Sequence, residues 1–220
     1  TWTPGEAYGP ASYTIDVTVT DDEGLSDTGS VTIQVTEVNQ APTIAPIGDL
    51  TTDEETLLAF LVIGADPDLP ANGLTFSLEE GPAGAAIDPV TGRFTWTPTE
   101  AQGPAIYPVR VRVTDDGDPA LSTPQTFTIA VDEVNRAPVV EPVADQVVTE
   151  GGLVSLTVLA TDPDQPANAL TFSLDEAPAG AAIDPVTGRF TWAPSDGPAV
   201  ATVTVRATED GDPALSGLET

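Results

Sequence analysis

The chain has 220 residues, 40% of them hydrophobic, and sets 35 acidic side chains against six arginines, with no lysine or histidine, for a formal charge of −29. That apolar content supports one to three domains with ordinary cores and excludes a disordered acidic tail. The charge excludes nucleic acid and anionic membrane surfaces, which are bound through Lys and Arg, and attracts cations instead. Cysteine and methionine are absent, so no disulfide framework or thiolate metal site exists. Without His and Cys there is no Ser-His-Asp triad, Cys nucleophile or His-ligated zinc. The paired carboxylates recur in every copy rather than in one cleft, so the reading is not an enzyme. No apolar stretch approaches the roughly 20 residues that span a bilayer.

In chain order, TWTP at 1–4 returns at 95–98, and EVNQAP at 37–42 returns as EVNRAP at 133–138. ADPDLPANGLTFSL at 65–78 returns as TDPDQPANALTFSL at 161–174, and TFSLEEGPAGAAIDPVTGRFTWTP at 75–98 returns at 171–194. The frame predicts the C-terminal part of one repeat over 1–39, a complete repeat over 40–135, and a repeat lacking its last strand over 136–220. A period near 96 suits a self-contained domain rather than a solenoid turn. The chain thus reads as a window cut from a longer tandem array, with targeting or anchoring segments outside it.

Within the complete repeat the alternation has period two. Leu58, Phe60 and Val62 face a core, by analogy with Val154, Leu156 and Val158 of LVSLTVL in the next copy. Leu74, Phe76 and Leu78 share one face of the following strand. AAIDPVTGRFTW reads as a hairpin: Asp88-Pro89 starts the turn, Gly92 takes a positive φ, and Ile87, Phe94 and Trp96 are buried. Tyr107, Val109, Val111 and Val113 alternate with polar residues, and Pro108 places the start of that strand at an edge or bulge. Phe127, Ile129 and Val131 form the last inward face. About seven short strands per repeat predict an all-β fold, tandem immunoglobulin-like seven-stranded β-sandwiches arranged end to end. The TW(T/A)P tryptophans read as core aromatics, with a sugar platform as the alternative.

Most of the acids are solvation, but a subset falls at strand ends, where sandwich loops cluster. Several carboxylates packed together without a cation would repel and drive their pKa values up. Calcium takes six to eight oxygens from carboxylates, amides and carbonyls, which matches this inventory.

The run VTDDGDPALSTPQTFTIAVDEVNRAP at 113–138 resembles the end of a cadherin repeat, A-x-D-x-G-x-P-x-L-S leading to D-x-N-D-N-A-P. Asp162-x-Asp164 with Asn168 resembles the cadherin D-x-D element and its following Asn. The resemblance spans all three copies and is closest to bacterial cadherin-like repeats, including the dystroglycan-type group. It implies calcium between successive repeats. Carried over by position, a first junction would use Glu6, Glu37, Asn39, Asp66, Asp68, Asn72 and Asp115. A second would use Glu54, Glu100, Glu133, Asn135, Asp162, Asp164, Asn168 and Glu209. EVNRAP is one residue shorter than the cadherin linker and lacks its second Asp, which implies fewer ions. The resemblance implies a structural or adhesive stalk or fibre of a long extracellular or cell-surface bacterial protein. Its partners would be neighbouring repeats, a second copy in a fibre, or a cell-surface or carbohydrate ligand. The alternative is a calcium-independent Ig-like spacer, or a sugar-binding accessory segment of a large secreted enzyme.

Overall fold

The computed structural model describes residues 1–197 and 200–220. Among them the only helices are two single 3-10 turns, Glu6–Tyr8 and Glu100–Gln102; everything else regular is strand. The chain divides into two compact units. One comprises Thr1–Thr52, Thr56–Thr97 and Ala105–Val131, and the other Asp53–Glu55, Pro98–Pro104 and Asp132–Thr220.

The first unit begins with an antiparallel ribbon, Ala11–Thr20 against Ser26–Val35. Its sandwich has a four-stranded sheet in the order Leu50–Asp53, Ser122–Asp132, Ala105–Asp115, Leu74–Glu80, and a three-stranded sheet in the order Leu58–Leu61, Arg93–Trp96, Ala86–Ile87. Inward residues of both sheets meet in one core: Phe76, Val109, Val111, Val113, Phe127, Ile129 and Val131 from the first, Phe94 and Trp96 from the second, with Val62 beside them. Phe60 stacks on Phe94 at 5.0 Å between ring centroids.

The segment carrying Leu58, Phe60 and Val62, read from its alternation as one inward face, is divided. Val62 donates its N–H to Gly92 and Ile63 accepts from Ala45, so the chain leaves the Leu58–Leu61 ladder and forms a separate two-residue pair with Thr43–Ile44 at Gly64–Ala65. The repeat therefore has more ladder segments than sequence alternation counts. Pro108 stands opposite Thr128, whose N–H points away to Asp49 Oδ1 at 2.8 Å, and pairing with Leu74–Glu80 starts only at Arg110 beside a bulge. A residue without an N–H fits there.

The hairpin forms as its sequence predicts. Asp88 Oδ1 accepts from the N–H groups of Val90 and Thr91 and from the Thr91 hydroxyl. Gly92 has φ +69°, and a Cβ there would lie 2.6 Å from the Val62 carbonyl oxygen. Trp96 is buried and donates its indole N–H to Ala83 at 3.1 Å, the core role. Trp192 makes the equivalent bond to Ala179 at 3.3 Å, whereas Trp2 is exposed, edge-on to Tyr8 and Tyr13.

The second unit repeats the plan. Val154–Thr157, Arg189–Trp192 and Ala182–Ile183 form one sheet, and Leu170–Glu176, Thr204–Glu209 and Ser216–Glu219 the other. Val140, Val158, Phe172, Val205 and Ala207 form its core.

Candidate metal centres

The expected acidic residues gather into two clusters, each complete within one unit. In the first unit, ligand oxygens of Glu6, Glu37 and Asp68 lie within 4.8 Å of one another. The short 3-10 turn presents Glu6, whose Oε1 accepts from Leu69 N–H (3.1 Å) and Oε2 from the Gln40 amide (2.9 Å). The loop at 66–72 is shaped by Asp66, whose Oδ1 accepts from the N–H groups of Asp68 and Asn72. Asp68, only 1% exposed, takes Gln40 N–H on Oδ2. Asp115, 4% exposed at the end of its strand, holds three donors on Oδ1: Leu121 N–H, Gly117 N–H and the Asn39 amide.

The second unit has two such groupings, Glu54 with Glu100 and Glu133, and Asp162 with Asp164 and Glu209, each set within 4.8 Å. Asp162 Oδ1 accepts from Asp164 N–H, and Asp164 Oδ2 from Arg136 N–H at 2.9 Å. Glu209 Oε1 accepts from Leu215 N–H and from the Asn135 amide, which also reaches the Pro213 carbonyl. Glu100 Oε1 accepts from Gln165 N–H at 3.0 Å. Glu54, 2% exposed, receives a long bond from Val134 N–H at 3.4 Å.

One rule runs through both clusters. Except at Glu133, whose two oxygens are both without a hydrogen bond, a carboxylate or amide fastens one end to backbone or to a neighbour and leaves an oxygen buried without one. Those oxygens are Asn39 Oδ1, Asp66 Oδ2, Asp68 Oδ1 and Asp115 Oδ2 in the first cluster. In the second they are Glu54 Oε2, Glu100 Oε2, both oxygens of Glu133, Asp162 Oδ2, Asp164 Oδ1 and Glu209 Oε2. Arg110 Nε is the one other such atom among the described residues. Each buried unsatisfied group costs about 1–3 kcal/mol. Setting aside Glu100 Oε2, which the Arg136 guanidinium faces at 3.3 Å, the other ten together would rival the whole stability of a domain, about 5–15 kcal/mol. The donor set fits a hard cation: all ligands are oxygen, from carboxylate and amide groups.

The electrostatics agree. Burial, then the neighbouring Glu100 and Glu133, push Glu54 up to about 7. Burial raises Glu133, with Glu100 and Asp164 adding to it, and burial with Glu6 and Asp68 raises Glu37. At Asp115 burial acts upward, but the bonds from Leu121, Asn39 and Gly117 outweigh it and the carboxyl lies below its usual range.

Asn72 contributes its backbone N–H to the first loop, and Asn168 is half-buried at the matching place in the second. Sequence reasoning missed three contributors. Asp116 and Asp210 close the loops from outside by accepting Gly73 N–H and Ala169 N–H. Arg136 pairs with Glu55 through Nη2 and with Glu100 Oε2 through Nη1 at 3.3 Å. The Gln40/Arg136 difference between EVNQAP and EVNRAP was the available signal.

The chain resembles known proteins along most of its length. A family model described as Putative Ig domain matches residues 41–132 and again 137–216. The Protocadherin-like wing polarity protein stan of Drosophila melanogaster is 30% identical over 233 residues, covering 93% of this chain and 6% of that protein. Chitinase A of Pseudoalteromonas piscicida is 32% identical over 141 residues, 62% of this chain and 16% of that one. The chain therefore spans a small part of these relatives. Among solved structures, human CDH23 EC21-23 aligns over 95% of this chain and 73% of its own at TM-score 0.58 and 22% identity. PcdhgB3 EC1-4 aligns over 98% and 57% at TM-score 0.59 and 17% identity, and both likenesses are of fold. Two successive matches cover most of the sequence, and the chain belongs to this Putative Ig domain family, as tandem domains whose fold is like that of cadherin repeats.

Proposed function

We propose that this chain is a structural and adhesive stretch of a long extracellular or cell-surface bacterial protein, its repeats stiffened by calcium at the two acidic clusters. The buried carboxylate and amide oxygens left without hydrogen bonds carry the reading. Glu6, Glu37, Asn39, Asp66, Asp68 and Asp115 would hold one set of ions, and Glu54, Glu100, Glu133, Asn135, Asp162, Asp164 and Glu209 the other. A bound cation would neutralise like charges that otherwise repel and would link loops distant in sequence. Sites of extracellular-module strength have Kd of about 10⁻⁴ to 10⁻³ M, and tenfold excess over Kd adds about 1.4 kcal/mol per site. Calorimetric titration of the chelator-treated chain with calcium is expected to give saturable binding in that range. Asp68→Asn with Asp164→Asn should abolish most of it. A double variant that binds as the parent does would overturn the assignment.

The match to chitinase A favours a second reading, an accessory or spacer segment of a secreted enzyme. A sugar platform on Trp96 is disfavoured, because that ring is buried with its N–H already bonded. Quenching of tryptophan fluorescence by an aqueous quencher separates the readings: protection of Trp96 is expected, and full accessibility in the folded chain would favour the platform.

A further inference from the structure

Two matched positions differ between the clusters, Asp115 against Glu209 and Gln40 against Arg136, and only the second changes the charge. Gln40 and Arg136 both donate backbone N–H to the buried aspartate of the D-x-D element, Asp68 at 3.0 Å and Asp164 at 2.9 Å. Both side chains then reach the glutamate of the 3-10 turn. Gln40 gives a neutral amide N–H to Glu6 Oε2, whereas Arg136 brings a full positive charge to Glu100 Oε2. That charge acts on Glu54, a side chain almost wholly buried with one oxygen left without a hydrogen bond. Its field also reaches Glu133.

The guanidinium has a second partner, Glu55. Glu55 is the one non-glycine residue with positive φ among those described, at +53°, and the next copy has Gly151 at +72° in its place. A left-handed non-glycine residue is strained and persists where its surroundings hold it. Here the side chain that a glycine would lack is the one that receives Arg136.

From this pairing we infer that Arg136 is a resident counter-ion that competes with divalent cations for Glu100 and so tunes the affinity of the second cluster, a role Gln40 does not play in the first. Glu55 is the alternative berth for the guanidinium when a cation takes Glu100. The inference rests on the cation reading above and specifies how one cluster is set.

The test is calcium titration by calorimetry on the full chain, comparing the parent with Arg136→Gln, Arg136→Lys and Gln40→Arg. Removing one unit charge at this range should tighten the second cluster about tenfold in Arg136→Gln. Arg136→Lys, which keeps the charge, should bind like the parent, and Gln40→Arg should weaken the first cluster by a similar factor. Circular dichroism of each variant checks that it is folded. If Arg136→Gln binds calcium no more tightly than the parent, the counter-ion role is wrong while the cation reading stands. If neither binds calcium, both fall. If Arg136→Lys tightens as much as Arg136→Gln, the charge is not the cause and the inference is overturned.

Discussion

Two glycines decide how an asparagine can serve each cluster. A Cβ on Gly117 would lie 2.1 Å from Asn39 Oδ1, and one on Gly211 2.5 Å from Asn135 Oδ1. Neither glycine has a positive φ, so the backbone tolerates alanine and only the asparagine objects. Gly117→Ala should expel the Asn39 side chain, breaking its bonds to Asp115 and to the Pro119 carbonyl. We predict a loss of about 1–3 kcal/mol in denaturant unfolding, the cost of a buried bond left unmade, together with weaker calcium binding. Gly48→Ala, with open space around its Cβ, is the control and should change neither. The sequence displayed Gly117 as a turn residue and Asn39 as a candidate ligand, but not that one exists for the other. Their contact joins positions 78 residues apart, which no local pattern encodes. Arg136 and Glu55 escaped for the same reason.

At the scale of elements, the hairpin and the alternating strands were legible because a period of two and an Asp-Pro turn are local signals. The break after Leu61 was not, since it depends on Gly92 and Ala45 capturing backbone groups of Val62 and Ile63. The core that results is one aromatic and β-branched cluster. Phe94 is fully buried between Phe60 and Phe127. Phe94→Ala should lower unfolding free energy by about 3–5 kcal/mol in chemical denaturation, with calcium present or absent. The hairpin adds an acid-sensitive contribution. Bonds from Thr91 and Val90 hold Asp88 below its ordinary value of 3.8, and Thr187 and Val186 do the same for Asp184. Their stabilisation is complete above that value and is lost as pH falls through the lowered one.

For the molecule as a whole, −29 charges make stability a function of both pH and cations. In cation-free solution the folded chain keeps protons on Glu54, Glu133 and Glu37 that the unfolded chain releases near 4.5. Where the folded state binds more protons, unfolding free energy falls as pH rises. The chelated chain is therefore expected to lose stability between about pH 4.5 and 7. Saturating calcium should abolish or invert that slope, because only the deprotonated carboxylates bind it. Thermal unfolding across this range with chelator and with calcium checks it; parallel curves would show that the clusters do not couple to the cation. Sequence alone showed that the acids recur, while their burial and mutual distances needed the fold. The pairing of one fastened oxygen with one unpartnered oxygen has a kinetic consequence too. Loops already ordered by their own hydrogen bonds do not have to fold around an arriving ion, so the slow step becomes stripping water from the ion itself. Magnesium gives up its water reluctantly and demands a stricter octahedron, and on such a prearranged surface calcium should outpace it in stopped-flow mixing even where both are abundant.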